Sequence, residues 1–308
     1  MHQGPSRQFA SDCNSRLGTP LRPLHGMRAG VMIKEILVHL DGSADDESRI
    51  IHADHLAGMH QAHIRGLYLN LLPEPPVGIS HYAISRSLMS QRLDETRTQC
   101  RSVEHALERR FAKLSASHDL RRFDCIAANV GDVVMAQAQT ADLMVVRTPY
   151  RIDKPNRAST VVEAALFGSG RGVFVIPEED PLRLRPMDTI LVAWKNSREA
   201  ANAVAQAMPF LRQAKEVVIA TVATDGPEEV PGDRDLASYL ERHDVAAEIR
   251  RLGKWDTVAA GLFNEAELLN AGLIVAGAYS HSRLREWALG GVTRDILTKT
   301  PIPALLAH

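Results

Sequence analysis

The sequence predicts an α/β protein built from two tandem, doubly wound domains, each with a five-stranded parallel sheet. Three observations carry this. Short apolar runs closed by turn signals alternate with stretches of helical periodicity. The run IKEILVHLDGS at Ile33–Ser43 returns as MDTILVAWKNS at Met187–Ser197, which sets Asp41 against Lys195, 154 positions on. The run ADLMVVRTPY at Ala141–Tyr150 returns as AGLIVAGAYS at Ala271–Ser280, 130 positions on. Strands that alternate with helices assemble as a parallel sheet covered on both faces, a Rossmann-like layout.

Each copy reads β-α-β-α-β-α-β-α-β. Strands are expected near 34–40, 64–70, 122–129, 141–147 and 172–177, and again near 188–194, 216–222, 246–252, 272–278 and 302–307. Ser43 with Asp46 resembles a capping box at the first helix. Asn196 or Ser197 caps its counterpart, and Ala200, Val204, Met208 and Leu211 follow at helical spacing. The fall in offset leaves 24 extra residues in the first copy. They belong after Leu67–Asn70, where Pro73, Pro75 and Pro76 open a loop. A helical segment at 84–116 follows, with Leu93, Cys100, Val103, Leu107, Phe111 and Leu114 on one face, a stripe that predicts packing on its own sheet. The glycines of Gly168–Gly172 read as a turn at a helix C-terminus.

The domains are therefore 32–178 and 187–308, joined by a charged, proline-bracketed linker at 179–186. Residues 1–31 are rich in Arg, Ser, Gly and Pro and lack periodicity. They read as a disordered extension or a start placed too early, with Met27 and Met32 as later starts.

Composition narrows the function. A net charge of -1 gives no global field to recruit nucleic acid or an anionic membrane. Cys13, Cys100 and Cys125 stand far apart, so neither a zinc knuckle nor a disulfide framework is indicated. No apolar run approaches the roughly 20 residues that span a bilayer, and no signal-peptide core is present, so a cytoplasmic setting is expected. His52, His55, His60 and His63 crowd the first helix and its exit. His52 and His55 could share a face as metal ligands, but with no carboxylate or cysteine pattern beside them they read as a solvated helix edge, and no metal is expected. The phosphate-loop, nucleophile-elbow and metalloprotease motifs are absent, and no catalytic residue is assigned.

In an open parallel sheet, ligands bind beyond the carboxyl ends of the strands at the switch in strand order. The loops after strands one and four meet there. In the second copy Gly277 ends strand four, and Gly290 and Gly291 open the next helix, followed by Val292, Thr293 and Arg294. Such glycines let a backbone approach a ligand, and a helix N-terminus favours phosphate. The same glycines read equally as a tight loop-to-helix turn.

With these residues the chain resembles the universal stress protein family, tandem type, over about residues 32–308. ATP-binding members carry G-x2-G-x9-G followed by Ser or Thr. The spacing is intact here as Gly277, Ser280, Gly290 and Gly291, with Ser280 and Gly291 departing in residue type. The family's acid beside the adenine is Asp41 in the first copy and Lys195 in the second. The positions matching the glycine pattern in the first copy are Arg147, Tyr150, Thr160 and Val161. The resemblance implies ATP or a related adenine nucleotide, with or without Mg, chiefly in the second copy. Gly277, Ser280, Gly290, Gly291, Val292 and Thr293 would line the phosphates and ribose, Ala193 and Ala276 would flank the base, and Lys195 would stand at a phosphate or in solvent. Asp41 would be vestigial, or simply a cap for its turn. Family members also pair through their last strands. GVFVIP at Gly172–Pro177 and IPALLA at Ile302–Ala307 are thus expected to pair within one chain as a pseudo-dimer, with a homodimer of whole chains left open. The implied function is a nucleotide-binding stress-response protein; a ligand-free scaffold acting through protein association and a slow ATPase are its rivals.

Overall fold

A computed structural model describes residues 32–73, 82–150, 157–222, 232–278 and 291–308. The strands are β1 (Glu35–Leu40), β2 (His63–Leu71), β3 (His118–Cys125), β4 (Leu143–Arg147), β5 (Gly172–Ile176), β6 (Thr189–Ala193), β7 (Glu216–Val222), β8 (Ala247–Leu252), β9 (Leu273–Gly277) and β10 (Ala304–Ala307). The helices are α1 (Asp45–His60), α2 (Tyr82–Phe111), α3 (Val130–Ala138), α4 (Arg157–Gly168), α5 (Arg198–Leu211), α6 (Asp233–Arg242), α7 (Val258–Leu268) and α8 (Gly291–Lys299). All ten strands join one sheet in the order β3-β2-β1-β4-β5-β10-β9-β6-β7-β8. Pairing is parallel within each half, and the halves meet where β5 runs antiparallel to β10, with Leu305 opposite Phe174. The expected intrachain pairing of the last strands is therefore present.

Strand alternation builds two cores. Ile36, Val38 and Leu40 face one side with Ile50, Ala53 and Leu56 of α1, while Leu37 faces the other with Val162, Ala165 and Leu166 of α4. In the second half, Ala203, Val204 and Ala207 of α5 lie in the first core, and Ile296 and Leu297 of α8 in the second. Burial on both faces explains the continuous apolar runs of the central strands. No described helix is long and apolar enough to cross a membrane.

Four expectations need correction. The third strand spans 118–125, earlier than the expected 122–129, because this charged edge strand has no apolar alternation to mark its start. The long segment forms α2, 30 residues against 10 in α6, so the extra length lies where expected. Of its described side chains, Cys100, Leu107 and Phe111 in the last turns join the core, and from Ser90 to Gln99 it is exposed except for Leu93 and Thr96. The capping box is shifted. Ser43 Oγ accepts from the amide of Asp45, while the Asp46 carboxylate reaches back to the amides of Asp41 and Gly42. Finally, His52 and His60 are buried, because α1 turns that face toward the junction of the halves. His60 stacks edge-on against Phe210 of α5, 4.9 Å between centroids, and meets Gln213 at 3.3 Å. His52 lies 5.9 Å from Phe174 and bonds the carbonyl of Pro181 at 3.0 Å.

The outer edges are guarded alike. Arg121 and Arg122 of β3 stand at the register of Leu67 and Tyr68, and Arg250 and Arg251 of β8 at that of Ala220 and Thr221. Arg122 reaches Glu104 of α2, and Arg251 reaches Asp233 of α6. Charged side chains tied down on an edge strand oppose pairing with another chain.

The buried histidines set a pH dependence. Burial, aided by His55 near His52 and by Lys34 near His60, holds both imidazoles down to about 4. Burial and Arg49 hold His39 down to about 3. The unfolded chain takes up these protons near the ordinary 6.5 while the folded chain does not, so stability falls as the pH drops below that value. Asp46, pushed up to about 6 by burial, runs the other way above its ordinary 3.8 and offsets one of the three. The urea midpoint is therefore expected to be lower at pH 5 than at pH 7, with a smaller difference in His60→Gln. Equal midpoints in the wild type would contradict the assignment.

Candidate functional site

In each half the first and fourth strands are neighbours, Val38 beside Val145 and Ala193 beside Ala276. The helix after the first strand leaves to one face, and the helix after the fourth leaves to the other. Where such helices leave to opposite faces, the carboxyl ends of the strands between them are the usual ligand position, a crevice at the switch in strand order. The two halves furnish it differently.

The second half builds it from small residues. Ala193 of β6 pairs with Ala220 of β7 on one side and with Ala276 of β9 on the other. Three methyl groups therefore stand abreast on one face at the rim. The topology places Leu67, His39 and Val146 on the same positions in the first half. Ala220 escaped the sequence reading, since it becomes visible only when β7 is laid beside β6. Its signal is one small residue inside the β-branched run of Glu216–Val222. Beyond β6 the chain passes exposed Lys195 to Ser197, whose hydroxyl accepts from the amide of Ala200 at 3.2 Å and caps α5.

Gly277 ends β9 under that first turn. A Cβ there would lie 2.5 Å from the backbone nitrogen of Ala200 and 2.6 Å from the carbonyl carbon of Glu199. The missing side chain admits helix α5, so the glycine is required by packing whether or not a ligand approaches. Gly291 differs. It is exposed at the start of α8, and a Cβ there would meet no described atom within 4 Å. The first amides of α8 have no partner within the helix, and the helix dipole makes that end positive. Val292 packs partly on the core, and Thr293 is buried, so neither is aimed freely at the opening. Arg294 is close enough to Tyr150 of the first half to act on its phenol electrostatically. Ser280 and Gly290 lie outside the described residues.

The first half closes the same crevice with charge. Arg147, which stands where the second half has Gly277, bonds Asp45 in the first turn of α1, and it reaches Glu178 after β5 at 3.2 Å. Arg49 is buried and ties the loop together: its guanidinium lies 2.7 Å from Asp41, 2.6 Å from Asp46 and 2.7 Å from His39 Nδ1. Asp41 also accepts from the amide of Ser43 at 3.0 Å. Although partly buried, it is held well below the usual carboxylate range by Arg49, so it is a structural anion in the turn. Arg49 was not singled out in the sequence; nothing in a helical arginine marks it as buried until three partners converge on it.

Residues 187–308 match the model of the universal stress protein family. Comparison with curated protein sequences finds no match. Among solved structures, the chain is similar to a universal stress protein from Archaeoglobus fulgidus DSM 4304, with 15% identity, 89% of this chain and 97% of that chain covered, and a TM-score of 0.60. It is also similar to a functionally unknown protein from Pseudomonas aeruginosa PAO1, with 16% identity, 89% and 92% covered, and a TM-score of 0.53. At these identities the two structures bear on the fold.

The two glycines should separate experimentally. Gly277→Ala forces the first turn of α5 off β9 and is expected to lower stability by about 1–3 kcal/mol, in the range for overpacking. Gly291→Ala has room and should leave the denaturation midpoint within about 0.5 kcal/mol of the wild type. Equal midpoints for the two variants would rule out the packing role of Gly277.

Proposed function

We propose that this chain, whose residues 187–308 form a universal stress protein domain, is a stress-response protein that takes an adenine nucleotide in the crevice of its second half. The observation that carries the reading is the row Ala220-Ala193-Ala276, three small residues abreast of which Ala193 is half-buried and the others buried, on the same face of the sheet as α8 with its exposed Gly291. A flat base fits over methyl groups, and a phosphate fits at helix amides. Gly277, Ser280, Gly290, Gly291, Val292 and Thr293 belong to the phosphate and ribose side, Ala193 and Ala276 to the base side, and Lys195 to the mouth. Of these, the exposed Gly291 at the start of α8 and the small residues of the row suit the group; a bound nucleotide would bring its own anionic charge, and Mg would accompany it only as the counter-ion of the phosphates. The chain's own part is to bind and orient. The reading is a binding module, with slow ATP hydrolysis as its rival.

A second reading has its own support. In the first half Arg147 ties the end of β4 to α1 and to Glu178, and Arg49 fixes the β1–α1 turn, so that half serves as a scaffold. If the second half is equally closed to nucleotides, the whole chain is a ligand-free scaffold. Release of nucleotide on denaturing the purified protein distinguishes the two.

Calorimetry with ATP tests the site directly. Gly291→Val should abolish binding, because a branched side chain blocks approach to the amides while the fold has space for it. Equal affinity in the two proteins would sink the proposal. The mouth is tested by competition among ATP, GTP and CTP. An ammonium only donates hydrogen bonds, whereas a carboxylate accepts one from the adenine amino group. Lys195→Asp should therefore raise the preference for ATP by one charge-assisted hydrogen bond, about 1.5–3 kcal/mol. A wild type already strongly selective for adenine would put Lys195 outside the pocket.

A further inference from the structure

At the opposite, amino edge of the first half, Glu35 of β1, His63 of β2 and Asp119 of β3 bring three potential ligand atoms within 4.8 Å of one another. Glu35 and His63 are register partners on adjacent strands, and Asp119 lies one pleat further along β3 on the same face. The imidazole is held from both sides. Its Nε2 lies 2.8 Å from Asp119 Oδ1, and its Nδ1 lies 2.8 Å from Ser117 Oγ. A ligating histidine needs its second nitrogen fixed by another group, and Ser117 supplies that. Glu35 Oε1 is buried and ion-paired with the Arg65 guanidinium at 2.5 Å. An oriented imidazole with two carboxylates converging on it from neighbouring strands is a donor set that one ion can bridge.

We propose that Glu35, His63 and Asp119 form a site for a divalent transition ion of the zinc or cobalt class, completed by water. Ligands at about 2.1 Å around a tetrahedral ion stand about 3.4 Å apart, so His63 and Asp119 need open only slightly and Glu35 close toward them. On binding, the ion takes the lone pair of Nε2, and the ring proton resides on Nδ1, where the Ser117 oxygen accepts it. One nitrogen with two carboxylates suits a borderline ion better than calcium or magnesium, which prefer oxygen alone. Arg65 and Arg121 neutralise the carboxylates when the ion is absent, Arg121 lying 2.7 Å from Asp119, and they compete with it. The second half has Thr189, Glu216 and Glu248 on the matching positions, so the site belongs to the first half alone.

Titration of the metal-free full chain with zinc by calorimetry, and with cobalt by visible absorption, tests this without any nucleotide. The wild type should bind one equivalent with a cobalt spectrum showing nitrogen ligation. His63→Ala and Asp119→Asn should each weaken that event at least tenfold; if the first fails to fold, the second carries the test. Arg121→Ala should strengthen it severalfold by removing the competing cation, an effect that casual binding at another histidine would not show. Binding unchanged in Asp119→Asn, or undiminished by His63→Ala, would overturn the site, as would Arg121→Ala leaving the affinity where it was.

Discussion

Everything in this molecule hangs on the pairing of β5 with β10. Each half is an open sheet with a short, wholly buried apolar terminal strand, and such an edge exposes both unpaired backbone groups and apolar side chains. Laid antiparallel, the two edges satisfy each other. Phe174, Leu305 and Leu306 are buried, α1 and α5 close over one face, and α4 and α8 stand on the other. His52 and His60 are captive neutral groups of that closure. A domain so joined loses the entropy of association only once, within the chain, whereas two separate chains lose it each time they meet.

The shared scaffold makes the difference between the halves legible as chemistry. Both present a crevice at the same topological point, yet one is floored by alanines and the other is crossed by guanidinium groups. A buried ion pair is rarely a large source of stability, because desolvation consumes most of the attraction. Removing one partner is costly, however, since it strands the other charge. The pairs of Arg147 with Asp45 and Glu178 therefore resist change: replacing the arginine takes a largely buried cation from two carboxylates at once.

Much of the architecture was readable from residues. The two offsets located the strands and the position of the extra length, because buried parallel strands leave apolar runs that repeat; the pairing of the terminal strands was implied by the family resemblance. The edge strand β3 was misplaced for the converse reason: its residues answer to cross-strand charges and to α2, which periodicity does not register. The histidines of α1 were read as solvated because a helix wheel cannot say that a second domain covers one of its faces. The same limit hid Glu35 and Asp119 from His63, residues separated by tens of positions that meet only once three strands are in register. Glycine spacing drew attention to Gly277 as a ligand contact, but its Cβ direction shows a helix packed against it. Ser280 and Gly290 lie outside the described residues, so half of the glycine pattern rests on spacing alone.

The antiparallel junction also gives the sheet a compass. Because β5 and β10 run in opposite directions, the carboxyl ends of one half and the amino ends of the other lie along the same margin. The alanine-floored crevice and the Glu35–His63–Asp119 cluster therefore share one shore of the sheet, while the arginine-bridged crevice faces the far one. Six strand steps separate β2 from β6, roughly 29 Å at the usual spacing. A single partner of ordinary domain size, settling along that shore, would touch both places at once and leave the arginine-bridged crevice untouched.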